Sequence, residues 1–468
     1  MGKKVKEMNP MLSTSGEKIR FAIGDFGCNL IWGFVGGCAT IYYTDNVLLS
    51  AAAVGTFMML ARLLDGVSDI IMGIIIEKTN SKWGKARPWL LWMSIPLIIT
   101  FLMAFHIPEG LPERTKIIYA GVVYTFMTAV TYTAVNLSYI TLLTLFAPDS
   151  KDRNMAAMVR SLFAMLGSLV VGIISIPLLT SLGGIKSQQA WDKIIVIYSV
   201  VTLVCLFITF IGVKEKKLTA EDVEHASGRV VTKERMPLKE VIKHLLKCKY
   251  FYLSALITIP YYLAQGAGAV NTYYARDILG DVNLSGIIAA VSLPTMIIAA
   301  IIAPKLYAKF GKRNTMIIGS VIVIITTAVQ FFNPYNKVLF LALYAAKGLG
   351  IMFYGVAIGT LPGDVADWCE WKIGERAEGV VSSVSSFGVK VGTGVGSALV
   401  GWILAFGHYD GKLMVQAPSA LSAEIALMIG IPMVLAIVQI VFLLLWDMDK
   451  IRPNILKELE VKRNGNHS

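Results

Sequence analysis

Twelve long apolar runs dominate this chain and leave it few folds to choose from. They fall near residues 19–43, 51–77, 87–106, 116–145, 156–181, 192–213, 250–276, 284–304, 314–332, 338–363, 379–406 and 421–446. A helix crosses the hydrocarbon core of a bilayer with roughly 20 residues, so each run is long enough to span. Backbone groups in lipid must be satisfied internally, which leaves only helices or closed barrels. Runs of this length without period-two alternation read as helices. Composition agrees, because only 16% of residues are charged and 55% are hydrophobic, where a soluble domain carries about 25% charge. The fold class is therefore an all-α membrane protein with twelve transmembrane helices.

The longest polar stretch, 214–249, divides the chain into a six-helix bundle over 1–213 and a second over 250–468 with a polar tail. The loop after the second run reads Ser81-Lys-Trp-Gly-Lys-Ala-Arg87, and that after the eighth reads Ala308-Lys-Phe-Gly-Lys-Arg313. Both stand at the same place in their half. Two parallel six-helix repeats are the layout of the major facilitator fold.

The net charge of +12 does not indicate nucleic acid, because its distribution follows topology. Loops 1–20, 78–87, 147–153, 214–249, 305–313, 372–376 and 449–468 hold 32 basic residues, and the alternate loops hold 6. Lys and Arg concentrate on the cytoplasmic side. Both termini and the middle loop 214–249 are thus expected in the cytoplasm of a multi-pass cell-membrane protein. The N-terminus is polar and carries no pattern of a removable signal. Five scattered cysteines and five histidines show neither disulfide nor zinc spacing. No nucleotide loop, nucleophile–base pair or metal cluster marks an enzyme, and no cofactor is expected.

Five basic residues remain at or within the runs: Arg62, Arg160, Arg276, Lys347 and Lys390. A charge near mid-bilayer costs at least ~2.5–3.5 kcal/mol and faces a cavity or a partner. Arg276 stands at a span end and can snorkel. The second run also carries Asp65 near its midpoint and Asp69 one turn on, with Arg62 on roughly the same face. Two carboxylates without full neutralisation attract a cation or hold a proton. The plainer reading is a fixed Arg62–Asp65 pair, but one arginine does not neutralise two carboxylates. Lys390 needs an acidic partner from another helix, with Asp65 and Asp69 as candidates. Arg160 suits a structural role as well as substrate contact, and Asp25 suits a helix-end contact as well as a cavity. Lys347, in the outer half of the tenth run, has no assigned role. Asn29, Tyr132, Thr133, Asn136 and Tyr354 are candidates for sugar contact. Asn136 stands out, because a mid-span amide is costly unless hydrogen-bonded.

Tyr42-Tyr-Thr-Asp45, Ala61-Arg-Leu-Leu-Asp65 with Asp69, and Lys82-Trp-Gly-Lys85 with Arg87-Pro88-Trp89 form a recognisable set. Asp367-Trp-Cys-Glu-Trp371, Arg376-Ala-Glu-Gly379 and Lys390 complete it. Over about residues 17–448 the chain resembles the glycoside–pentoside–hexuronide:cation symporters. That resemblance implies a cation site at Asp65, Asp69 and Thr133, with Ser68 where the family's melibiose carriers have asparagine. It places Arg160 with sugar binding and Lys390 near both sites. Asn29 and Asn136 fall where melibiose carriers use carboxylates, and Ile140 replaces a tryptophan platform, so a melibiose-type substrate is not implied. The asparagine at 136 is similar to the glucuronide and xyloside branches.

The combined expectation is a monomeric symporter that imports a glycoside, pentoside or hexuronide with Na⁺ or H⁺ by alternating access. Arg62, Lys390 and Asp25 are its expected charge network. Its partners are the sugar and the bilayer. A facilitator or efflux carrier of the same fold is the alternative.

Overall fold

The computed structural model describes residues 12–216, 244–245, 247–374 and 378–465. Most of the expected middle loop 214–249, and Arg376, lie outside the described residues. The helices are α1 Ser15–Asn46, α2 Ala51–Lys78, α3 Arg87–Ala104, α4 Glu113–Phe146, α5 Ser150–Ser181 and α6 Gln188–Gly212. They continue with α7 Lys249–Ile278, α8 Leu284–Phe310, α9 Lys312–Phe332, α10 Lys337–Ile373, α11 Glu378–Phe406 and α12 Pro418–Leu444. A polar helix α13, Met448–Gly465, follows. Eleven of the first twelve contain stretches long and apolar enough to cross a membrane among the described residues. The other is α2, whose 28 residues include Arg62, Asp65, Asp69, Glu77 and Lys78.

Local sequence sets where helices begin. Thr14 and Glu17 form a reciprocal capping box at the start of α1, and Asp149, Ser187 and Asn336 cap α5, α6 and α10. Each side-chain oxygen accepts one of the backbone N–H groups that a first helical turn leaves unpaired.

Two compact units divide the chain: Met1–Leu49 with Leu60–Lys233, and Ser50–Met59 with Glu234–Ser468. In the first, α1 packs on α5 and α6, while α3 packs on α4 and α6. In the second, α7 packs on α11 and α12, while α9 packs on α10 and α12. Each pairing thus recurs six helices later, as duplication requires.

The repeat extends to atoms. α1 and α7 both end in a π-helical turn, Tyr42–Asn46 and Tyr274–Ile278. The Tyr43 hydroxyl donates to the Ala104 carbonyl at 2.9 Å, and the Tyr274 hydroxyl to the Pro334 carbonyl at 2.6 Å. These acceptors stand at or just past the ends of α3 and α9. At the opposite end of α3, the Glu215 carboxylate accepts from the N–H groups of Lys85, Ala86 and Arg87, each at 2.8 Å. The Asp449 carboxylate accepts from the Arg313 N–H at 2.7 Å at the start of α9. A carboxylate following the sixth helix of each half therefore sits on a positive helix N-terminus. The glycines of the two echoing loops, Gly84 (φ 110°) and Gly311 (φ 82°), make the turns that L side chains disfavour.

Packing within each unit uses small residues and hydroxyls, as membrane helices do. Tyr139 stacks on Phe21 at 4.3 Å and donates its hydroxyl to the Phe21 carbonyl at 2.6 Å. Thr202 donates to the Gly27 carbonyl at 3.0 Å. In the second unit α7 and α11 cross where a Cβ on Gly396 would lie 2.2 Å from the Leu263 carbonyl oxygen and 2.9 Å from the Gly266 Cα. The Gly392–Gly396 series is thus a helix contact.

Candidate functional site

The first unit brings together most of the side chains singled out from its sequence. On α2, Arg62 and Asp65 are each 6% exposed, and Asp69 one turn on is half-buried. Opposite them, α4 is interrupted by the π-helical turn Met127–Tyr132. Such widened turns recur at functional positions in helices. Here the turn delivers Thr133, whose hydroxyl donates to the Asp65 carboxylate and lies 3.1 Å from the Thr128 carbonyl. Asp65, Asp69 and Thr133 supply oxygen ligands of the kind hard cations take. The Ser68 hydroxyl donates to the Asp65 main-chain carbonyl at 3.0 Å.

Arg62 engages an aromatic ring. Its guanidinium carbon lies 3.9 Å from the centre of the Trp32 ring, and its Nε has no hydrogen-bond partner. Trp32 in turn stacks on Tyr132 with centroids 4.5 Å apart and planes at 15°. The sequence reading did not single out Trp32. Its signal was present, since Asp25, Asn29 and Trp32 follow a four-then-three spacing that puts them on one helix face.

One turn and two turns back along that face, Asn29 and Asp25 meet α5. Arg160 Nε stands 3.8 Å from an Asp25 carboxylate oxygen and makes no hydrogen bond there. The two alternatives left for Asp25 and Arg160 thus merge into one ion pair. The Asn29 amide donates to the Asp25 carbonyl at 2.8 Å and accepts from the Ser168 hydroxyl at 3.4 Å. Asn136 is half-buried and Ile140 exposed on α4. The first unit therefore carries two carboxylates one turn apart and a hydroxyl bonded to one of them, from Asp65, Asp69 and Thr133. The same unit holds the stacked Trp32 and Tyr132 rings, the amides of Asn29 and Asn136 and the Arg160 guanidinium.

Two other singled-out residues belong to the second unit. Tyr354 is 5% exposed and meets Tyr261 edge-on at 5.5 Å. Lys390 is half-buried on α11.

Residues 20–450 match the family model described as MFS/sugar transport protein. The chain is 30% identical to the isoprimeverose transporter of Lactiplantibacillus pentosus, over 95% of this chain and 91% of that protein. It is 27% identical to the putative glycoside/cation symporter YagG of Escherichia coli K12, over 97% and 96%. Its fold resembles the inward-facing crystal structure of a bacterial homolog of the human lysosomal transporter Spinster. That likeness has a TM-score of 0.67, at 14% identity, and covers 95% of this chain and 99% of the other. The chain is a multi-pass membrane protein of the major facilitator fold, and it belongs to the MFS/sugar transport family, among the glycoside–pentoside–hexuronide:cation symporters.

Proposed function

We propose that this protein is a cation-coupled symporter that imports a glycoside, a glucuronide or xyloside by the pattern of its amides. Asp65, Asp69 and Thr133 hold the coupling ion, Na⁺ or H⁺. Asn29, Trp32, Tyr132, Asn136 and Arg160 contact the sugar. The observation that carries this reading is the Thr133 hydroxyl bonded to the buried Asp65 carboxylate, with a second carboxylate one turn away. A hydroxyl and two carboxylates form an oxygen cluster of net negative charge, which a cation neutralises.

Cation binding favours sugar binding, and linkage makes the effect reciprocal. Coupling draws on the membrane potential, worth about 2.3 kcal/mol per charge per 100 mV. Basic-loop placement supports cytoplasmic termini and residence in the cell membrane. One chain holds both repeats, which supports a functional monomer.

The test is uptake of labelled glucuronides and xylosides into proteoliposomes, with an imposed Na⁺ gradient or pH gradient. Accumulation is expected with one of the two gradients and is lost in Asp65→Asn. Accumulation by that variant equal to the unaltered protein would overturn the cation assignment. Equilibration without accumulation under either gradient would favour a facilitator.

A further inference from the structure

A cavity of about 140 Å³ lies inside the second unit, lined by residues of α7, α9, α10 and α12. Lys347 lines it from α10, is 5% exposed, and shows no ion pair among the described residues. Its ammonium stands 4.7 Å from the centre of the Tyr344 ring. Gln439 lines the same cavity from α12, is 2% exposed, and its amide nitrogen has no hydrogen-bond partner among the described residues. Gln265 and Asn271 add amides, and Tyr261 and Tyr354 add phenols.

No aspartate or glutamate lines this space. Glu424, buried on α12 one turn before the lining residue Met428, is outside the lining. The Lys347 and Gln439 side chains therefore border a polar chamber that, among the described residues, no acid lines. A buried polar group without a partner is costly, and a buried charge far more so. The ring face beside Lys347 offers only a partial negative potential. What satisfies an ammonium and an amide N–H together is an acceptor carrying a full negative charge.

We propose that this cavity is an anion site, in which Lys347 and Gln439 hold one small monovalent anion of halide or carboxylate size. The volume accommodates chloride or a carboxylate group. The occupant is free in solution or is the carboxylate of an acidic solute. The proposal stands apart from the cation-site reading, since it uses no residue of that site.

The experiment follows thermal unfolding of the full-length protein in lipid nanodiscs at constant Na⁺ and ionic strength. Chloride or acetate replaces the bulky sulfonate anion of MES stepwise. A saturable rise of about 2–4 °C is expected at tenfold-saturating anion. The rise disappears in Lys347→Met and Gln439→Leu and persists in Lys347→Arg, which keeps the charge. Glucuronate, with glucose as its neutral control, distinguishes the sources. A solute carboxylate as occupant gives the same rise with glucuronate and competition with chloride. A free anion as occupant gives the rise with chloride or acetate alone. No saturable rise with chloride, acetate or glucuronate overturns the proposal, and so does an undiminished rise in both Lys347→Met and Gln439→Leu. Intact gradient-driven uptake beside either negative result would leave the cation site standing.

Discussion

The Thr133 hydroxyl reaches across from α4 to the buried carboxylate of Asp65 on α2. A hydrogen bond to a charged group contributes about 1.5–3 kcal/mol, roughly a tenfold effect or more on binding. Thr133→Ala is expected to raise the cation concentration for half-maximal uptake about tenfold, while Thr133→Ser stays near the unaltered value. Cation-titrated uptake checks this, and equal constants for the alanine and serine variants would refute the role of the hydroxyl.

Trp32 stands between the Arg62 guanidinium and the Tyr132 ring. Trp32→Ala removes the indole on which both Arg62 and Tyr132 pack. Its expected effect is a loss of sugar affinity of about 1–2 kcal/mol, or 5- to 30-fold, with Trp32→Phe intermediate. Equilibrium binding of labelled glycoside measures it. An effect on cation affinity alone would contradict the placement of Trp32 at the sugar.

Asp25 and Arg160 form a partly buried pair, so removing one partner strands the other. Arg160→Gln is expected to destabilise the protein by about 3 kcal/mol, and Asp25→Asn combined with it to recover part of that loss. Thermal unfolding of the two single variants and the double variant gives the coupling. If Arg160 also serves the sugar, the double variant regains stability without regaining uptake.

Glu215 accepts three backbone N–H groups at the start of α3, whereas Asp449 accepts one at the start of α9. Glu215→Gln therefore costs more than Asp449→Asn. The expected values are about 2 kcal/mol and 1 kcal/mol, from charge-assisted bonds and the helix dipole. Chemical unfolding that ranks the two variants in the reverse order would count against the capping account.

Gly396 touches the backbone of α7, where an added Cβ would overlap the Leu263 carbonyl. Gly396→Leu is expected to destabilise the protein by at least about 1–3 kcal/mol through overpacking. Gly388→Ala, at a position where a Cβ meets nothing within 4 Å, is the neutral control.

Much of this protein is legible in its sequence, because lipid permits so few backbone solutions. Run length gave the helices, and loop composition gave the division into halves. The helical spacing of Asp65 and Asp69 put two carboxylates on one face of a span, where charges are too costly to be incidental. The echo between residues 81–87 and 308–313 revealed the duplication, although the parallel between Tyr42-Tyr43 and Tyr273-Tyr274 went unread.

What the sequence by itself determined is what each segment must be, because hydropathy and helical period act along the chain. Only the tertiary structure decided which side chains meet. It joined Thr133 to Asp65, Asp25 to Arg160 and Arg62 to Trp32, and it set Lys347 and Gln439 around one cavity that, among the described residues, no acid lines. Those pairings depend on helix rotation and on the π turn within α4. Both are fixed by packing between segments far apart in the chain, which local patterning does not encode.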